Sequence, residues 1–481
     1  MPFTVSRGDA VADQLTVTPA PGKPALLLGA FDVAGLGYVA EEFFMSGTAS
    51  SFSSAAELGP DGRWSVTPAG SADFTTRMVV LTPADRAQFN GTVLVEWLNV
   101  SGGIDAPAVW MMAHREMVRA GYAYVAVSAQ RVGVEGGMNL MGVDMSLKSR
   151  DPERYTALRH PGDAFSYDIF TQAGRIIRDG QRSGVLRELQ AEHVVALGES
   201  QSALFLTTYI NAIDPLAQVY DGFLVHSRFG PAAPLDGGSI FDVLDGSASQ
   251  AVKFRPDLRV PLVTIITETD LFGGPRRGYY SARQPDSQQL RVWEIAGTAH
   301  ADNYTILVAP IDSGSAALTD IVAAYAPTNM LMGQQLDHFI NFAPQHHYVL
   351  QAALSQLCQW VGTGQPATSA APIELSDAEP PQPIVDANGL ARGGVRTPWA
   401  DVPIARTSGV GTEESTMSSI FGSGEPFDDA AVRRLYPRGV ADYLERFTAA
   451  LDSSIQSGFI LAADREEILQ LAAATFPDVN G

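Results

Sequence analysis

One cysteine, Cys358, stands in a chain of 481 residues. No disulfide can form within the chain, and no thiolate metal cluster can be built from it. Cations are scarce as well: 32 Lys and Arg against 53 Asp and Glu leave a formal charge of −21. That balance argues against nucleic acid or an anionic membrane as partner and favours neutral or cationic small molecules. No uninterrupted apolar run reaches the roughly 18 residues of a spanning helix. The opening "MPFTVSRGDAVADQ" lacks the apolar stretch of a signal peptide, so a cytoplasmic location is expected. Nucleotide signatures are missing too. There is no G-x-x-x-x-G-K-[ST], "GLG" at residues 35 to 37 lacks the rest of a dinucleotide fingerprint, and no H-E-x-x-H occurs. Neither a metal nor an organic cofactor is expected.

Apolar residues make up 46% of the chain and charged ones 18%, enough for a large core and against broad disorder. Residues 1–75 are rich in Gly, Ala, Ser and Pro, and read as an irregular, β-prone extension. From there strand and helix patterns alternate, the grammar of an α/β sheet. Strands are predicted in "FTTRMVVLTPA", "GTVLVEWLNVSGG", "AYVAVSAQRVGV", "HVVALG", "YDGFLVHSR", "RVPLVTIITETD" and "LRVWEIAGTAH". Helices are predicted in "AVWMMAHREMVRAGY", "SYDIFTQAGRIIRDG", "SALFLTTYINAI" and "HHYVLQAALSQLCQWV". The core is placed at 76–365, with the long irregular stretch 229–258 as a cap insertion. A Pro- and Ala-rich link then leads into a segment, 366–481, expected to wrap the main domain.

Runs of Val, Ile and Leu on both faces of the strands imply a mostly parallel sheet, covered on both sides. Ligands bind such sheets at the carboxyl ends of the strands. The polar candidates sit at those ends: Ser200 after "VVAL", Glu268 and Asp270 after "VPLVTII", His300 after "LRVWEIAG". Serine, acid and histidine come in the order of an α/β-hydrolase. Serine is a poor nucleophile until a base takes its proton, and His300 is the candidate base. A carboxylate would hold the imidazole in the right tautomer. Asp270 is favoured by position, with Glu268, two residues earlier, as the alternative. "GESQS" puts small residues, Gly198 and Ser202, two positions either side of Ser200, as a tight strand-to-helix turn requires. A G-x-S-x-small pattern arises about once by chance in such a chain, so the constellation carries the argument rather than the motif. Oxyanion donors are expected at the Gln201 amide and at the loop after "VLVEWLN", from Val100 or Ser101.

The strand–GxSxS–helix unit, "TETD" and "AGTAHAD" resemble the α/β-hydrolase superfamily of serine esterases, and "GESQSA" is similar to the "GESAGA" elbow of carboxylesterases. "VLVEWLNVSGG", "HPGDAFSYDIFTQAG", "RVWEIAGTAHAD" and "NGLARGGVRTPWADVP" resemble a bacterial family of alpha/beta hydrolase domain-containing proteins, over roughly residue 75 to the C-terminus. The resemblance implies an α/β-hydrolase fold, hydrolysis of a small-molecule ester, and a C-terminal segment that belongs with the catalytic domain.

Plainer readings stand beside these. Ser200 could be a serine in a tight turn, His300 a surface-loop histidine, and Asp270 a helix cap. His226, ending "LVHSR", is a rival base or a substrate contact. Glu199 is a pocket residue or an ordinary polar neighbour. His346 and His347 open a helix, where adjacent side chains diverge, so a metal site there is not expected. Arg396 and Trp399 in "GGVRTPW" read more simply as a packed turn than as a recognition element. An acyltransferase or lactonase would use the same triad, and a binding protein on this fold would lack a working base.

Overall fold

The computed structural model describes residues 15–244, 249–410 and 418–478. Its centre is a nine-stranded sheet. The strands are β1 (Thr16–Pro19), β2 (Tyr38–Ser53), β3 (Thr67–Pro83), β4 (Thr92–Trp97), β5 (Ala123–Val127), β6 (His193–Glu199), β7 (Gly222–His226), β8 (Leu262–Thr267) and β9 (Leu290–Ile295). They lie in the order β1-β2-β3-β5-β4-β6-β7-β8-β9. The first three pair antiparallel, β3 meets β5 antiparallel, and every pair from β5 through β9 is parallel. The irregular N-terminal extension read from the sequence is more regular than its composition implies. β2 and β3 run 16 and 17 residues and pair along nearly their whole length, with one register shift between Ser50 and Phe52.

The parallel strands are buried on both faces, and alternate residues feed two separate cores. Val93, Val95 and Trp97 of β4, with Val194 and Ala196 of β6, point into one core. Leu94, Val195 and Leu197 point into the other. Six helices cover the sheet or pack on its covering layer: α1 (Ala108–Arg119), α2 (Ser166–Arg178), α3 (Gln201–Thr208), α4 (Gln345–Thr363), α5 (Val440–Gln456) and α6 (Arg465–Thr475). α2 and α3 cover the first core through Ile169, Phe170, Leu204 and Phe205. Trp97 sits there against Phe170 and Phe205, with ring centroids at 4.8 and 5.4 Å. α1 and α4 cover the second core with Trp110, Met117, Val349, Leu350 and Leu354. α4 spans 19 residues, thirteen of them buried, because the sheet lies under it and the C-terminal helices pack on its other side.

α5 and α6 form a core of their own, with Tyr443, Phe447, Leu451 and Ile468 packed on Tyr348 of α4. The same C-terminal segment continues the sheet, since Val395 bridges Ile295 in parallel beside β9. Residues 229–244 and 249–258 lie mainly against the first core, which takes in Ala233, Leu235, Ile240, Val252 and Phe254. No helix among the described residues is long and apolar enough to cross a membrane.

Candidate active site

β6 ends in the turn that carries Ser200, which has φ 55° and ψ −117°. A side chain is strained in that region, and such strain is characteristic of serines held out at a strand-to-helix elbow. The neighbours explain how the turn closes. A Cβ on Gly198 would lie 3.0 Å from the Ser202 carbonyl oxygen, so a larger residue would press on the backbone of α3. Ser202 folds its hydroxyl back on Glu199, accepting from the Glu199 N–H at 3.0 Å and donating to its carbonyl at 2.8 Å. The serine at the last motif position thus ties the turn together. The Ser200 N–H donates to the His226 carbonyl at 2.9 Å, fixing the elbow to the end of β7.

The structure brings Ser200, His300 and Asp270 into one hydrogen-bonded line. His300 Nε2 lies 2.8 Å from Ser200 Oγ, and Nδ1 lies 2.5 Å from Asp270 Oδ1. Asp270 is buried and held in turn: its Oδ2 accepts from the Thr267 N–H at 2.9 Å and the Thr267 hydroxyl at 2.7 Å. Thr267 caps the short helix Glu268–Phe272, and Asp270 closes the capping box. The cap reading of Asp270 and its place beside His300 therefore coexist, one carboxylate oxygen serving each. Burial works to lower the His300 pKa, but the charge and hydrogen bond of Asp270, with the charge of Glu199, leave it above the ordinary histidine value. Phe229 stacks on the imidazole at 5.4 Å and 21°.

Glu268, the alternative acid, faces elsewhere. It accepts from the Gly297 N–H at 2.6 Å, the Ser408 hydroxyl at 2.8 Å and the Gly409 N–H at 2.9 Å. Its carboxylate pins the loop before His300 to the C-terminal segment. Burial raises its pKa despite these donors.

The expected oxyanion donors fare unequally. Gln201 opens α3, so its N–H has no acceptor within the helix and remains available beside Ser200. Val100 requires a correction. Its N–H donates to Gln201 Oε1 at 3.3 Å, and it is buried outside the cavity that Ser200 lines. Ser101 lines that cavity, but its N–H closes a turn on Asn99 Oδ1 at 2.8 Å. The sequence could not show the reason, which is a side-chain brace. Gln201 Oε1 also accepts from Gln130 Nε2 at 3.0 Å, and the two amides lock the loop after β4 onto the elbow.

Glu199 lines the same cavity, with Oε1 3.5 Å from His300 Nε2. Asn99, which sequence reasoning missed, anchors it by donating from Nδ2 to Oε2 at 3.0 Å. Burial pushes the Glu199 pKa up to about 7, with Asp270 adding repulsion while His300 and Asn99 work the other way. His226 also lines the cavity, but its Nε2 is 2.8 Å from Nε2 of His346, so it is bonded away from Ser200. His347 stacks on Tyr304 at 3.7 Å. Among the described residues, no group of three or more His, Cys, Asp or Glu is arranged to hold a metal ion. Arg396 bonds Asp386, Asp401 and two carbonyls, and Trp399 packs on Tyr348; both build the C-terminal packing.

Ser200 and His300 open on a cavity of about 380 Å³, within the range of small-molecule sites. Its wall is mostly apolar, with Met111, Met112, Met141, Met145 and Met332 prominent. Segments far apart in sequence close it. From 229–258 come Phe229 and Leu244, while Leu140 and Met141, Met332, and Ile420 and Phe421 come from three other stretches.

Among solved structures, the chain is similar to a glucuronoyl esterase from Solibacter usitatus at 12% identity, covering 61% of this chain and 82% of that one, with a TM-score of 0.29. It is also similar to an α/β serine hydrolase without lid from Xanthomonas campestris, at 11% identity, 46% and 78% coverage, and a TM-score of 0.28. Likenesses this distant carry no argument about substrate. No curated protein sequence matches the chain. The family model of the alpha/beta hydrolase domain matches residues 8–470, nearly the whole length, and the chain belongs to that family.

Proposed function

We propose that the protein is a serine hydrolase of small carboxylic esters. One observation carries this reading: the unbroken line from Ser200 Oγ through His300 to Asp270, at 2.8 and 2.5 Å, on the wall of the cavity. In this mechanism His300 Nε2 takes the serine proton as Ser200 Oγ attacks the ester carbonyl. The resulting imidazolium is stabilised by Asp270, which also fixes the tautomer with Nε2 free to accept. The Gln201 N–H receives the oxyanion. His300 then returns the proton to the leaving alcohol, and an acyl group remains on Ser200. Water, deprotonated by the same nitrogen, releases the acid and regenerates the serine. The apolar, methionine-lined wall suits an acyl or alcohol group without charge, since a flexible thioether surface adapts to varied apolar shapes.

The test is fluorophosphonate labelling with peptide mapping, on the parent and on His300→Ala. A label on Ser200 that is lost in the variant supports the triad. A folded parent that takes no label overturns the reading. Product analysis with an added alcohol then separates hydrolysis from acyl transfer.

A further inference from the structure

His300 has a carboxylate at each ring nitrogen. Asp270 holds Nδ1, and Glu199 Oε1 stands 3.5 Å from Nε2, the atom that also faces Ser200 at 2.8 Å. A second carboxylate on that side is costly to bury, because removing a charge from water is unfavourable unless something compensates. The fold nevertheless builds it in. Glu199 comes immediately before the nucleophile, both its backbone groups are tied by Ser202, and Asn99 fixes its other carboxylate oxygen. Among the described residues that line the cavity, it is the one carboxylate. The Ser202 bonds close the turn, while the bond from Asn99 holds the Glu199 side chain on the cavity wall beside His300.

We propose that Glu199 is a positioning residue for His300: it steadies the imidazole from the Nε2 side and stabilises the imidazolium formed when Ser200 gives up its proton. The inference rests on the serine-hydrolase reading above. The proton balance is simple. The serine proton moves to Nε2, the ring becomes cationic, and both carboxylates face that cation. The proton then leaves to the alcohol oxygen, and both carboxylates are unchanged. Glu199 neither attacks nor donates in this scheme; it acts through the ring.

Each group facing the Glu199–His300 pair bears on the outcome. Asp270 reaches His300 from the end of β8, Asn99 reaches Glu199 from the loop after β4, and Phe229 covers the ring face. Arg276 and His226 share the cavity wall; Arg276 weakens the cationic form of His300, His226 and His346 are held neutral by burial, and Glu96 on β4 lies close enough to repel the Glu199 charge. Because Glu199 and His300 interact, the acid limb of the rate profile belongs to the pair rather than to either residue. Removing the Glu199 charge leaves His300 a weaker base, so the limb moves to lower pH.

The experiment is the pH profile of kcat/KM for a p-nitrophenyl ester, on the parent, Glu199→Gln and Glu199→Asp, after fluorophosphonate labelling of each. The expected result is labelling of Ser200 in all three. In Glu199→Gln the acid limb falls by about half a unit to one unit and plateau kcat falls about tenfold, less than the roughly 100- to 10,000-fold that a general base itself supplies; Glu199→Asp lies between. An acid limb that coincides in the parent and Glu199→Gln, with both labelled, overturns the inference and leaves the hydrolase reading intact. A folded parent that takes no label overturns both. If Glu199→Gln does not fold, Glu199→Ala, which also removes the charge, takes its place, and a limb identical to the parent's overturns the inference alone.

Discussion

His226 and His346 meet Nε2 to Nε2 at 2.8 Å, 120 residues apart in the chain. A hydrogen bond between two imidazole nitrogens needs one N–H and one lone pair, so one ring donates and the other, necessarily neutral, accepts. Burial pushes His346 down to about 4 and His226 well below the ordinary histidine value. The His226 carbonyl also holds the Ser200 N–H. An uncharged pair thus lies behind the elbow.

That neutrality has a thermodynamic consequence. In the unfolded chain both histidines titrate near ~6.5, whereas in the folded chain His346 stays neutral down to about 4. A depressed folded pKa contributes stability that is full above the unfolded pKa and is lost as pH falls toward the folded one. Chemical denaturation tracked from pH ~7 to ~4 should therefore show stability falling. His346→Gln keeps an amide within reach of His226 and removes one titrating group, so its decline is expected to be shallower. Equal slopes in parent and variant would refute this.

Asp270 and Glu268, two residues apart, should separate by phenotype. Asp270→Asn leaves the shape of the site but removes the charge on Nδ1, and such a change costs on the order of 10⁴-fold in kcat. Its melting temperature should move little, because the amide can still accept from Thr267. Glu268→Gln breaks a buried set of three donors instead, at about 1–3 kcal/mol of stability. Its kcat, measured well below its melting temperature, should stay within about tenfold of the parent, since no lost contact touches His300. Steady-state kinetics paired with thermal melts decide between this pattern and its reverse.

Gln201 bears two roles that a substitution can part. Its backbone N–H lies beside Ser200, while its side chain braces Val100 and Gln130. Gln201→Ala keeps the first and removes the second. The expectation is a fall in kcat of about 10- to 100-fold, less than the loss of a full oxyanion donor, with KM little changed. Unchanged kcat would mean that the loop after β4 holds its place without the brace.

The strand-to-helix turn at Ser200 was legible because the features that define it are local: a buried apolar run, small neighbours, and a helix on its far side. The order of serine, acid and histidine was legible because parallel strands place their carboxyl ends together. The fates of Val100 and Glu268 were not. Each depends on a partner distant in sequence, Gln201 in one case and Ser408 and Gly409 in the other, and no periodicity announces such contacts. His346 was hidden for the same reason, its partner lying on β7. The wall of the cavity draws on stretches near residues 140, 332 and 420, too scattered for composition to reveal. The long β2–β3 hairpin was obscured by its Gly, Ala and Ser content, which pairs well enough when a neighbouring strand supplies the ladder.

Met112 offers a handle on substrate size. It projects from α1, is 3% exposed, and lines the cavity beside Thr305. Met112→Ala removes three heavy atoms from the wall and lengthens the space available to an apolar acyl group. Each further methylene buried by a substrate is worth about 0.8 kcal/mol, or about fourfold in kcat/KM. Across a series of p-nitrophenyl esters, the optimum chain length should therefore rise by one to a few carbons in Met112→Ala. Met112→Trp should shift it the other way by filling the same space. The enlarged wall also loses packing, with up to about 2–5 kcal/mol at stake for a fully buried methionine, so melting curves must accompany the kinetics. An optimum that stays put in both folded variants would place the acyl chain against another part of the cavity, away from α1.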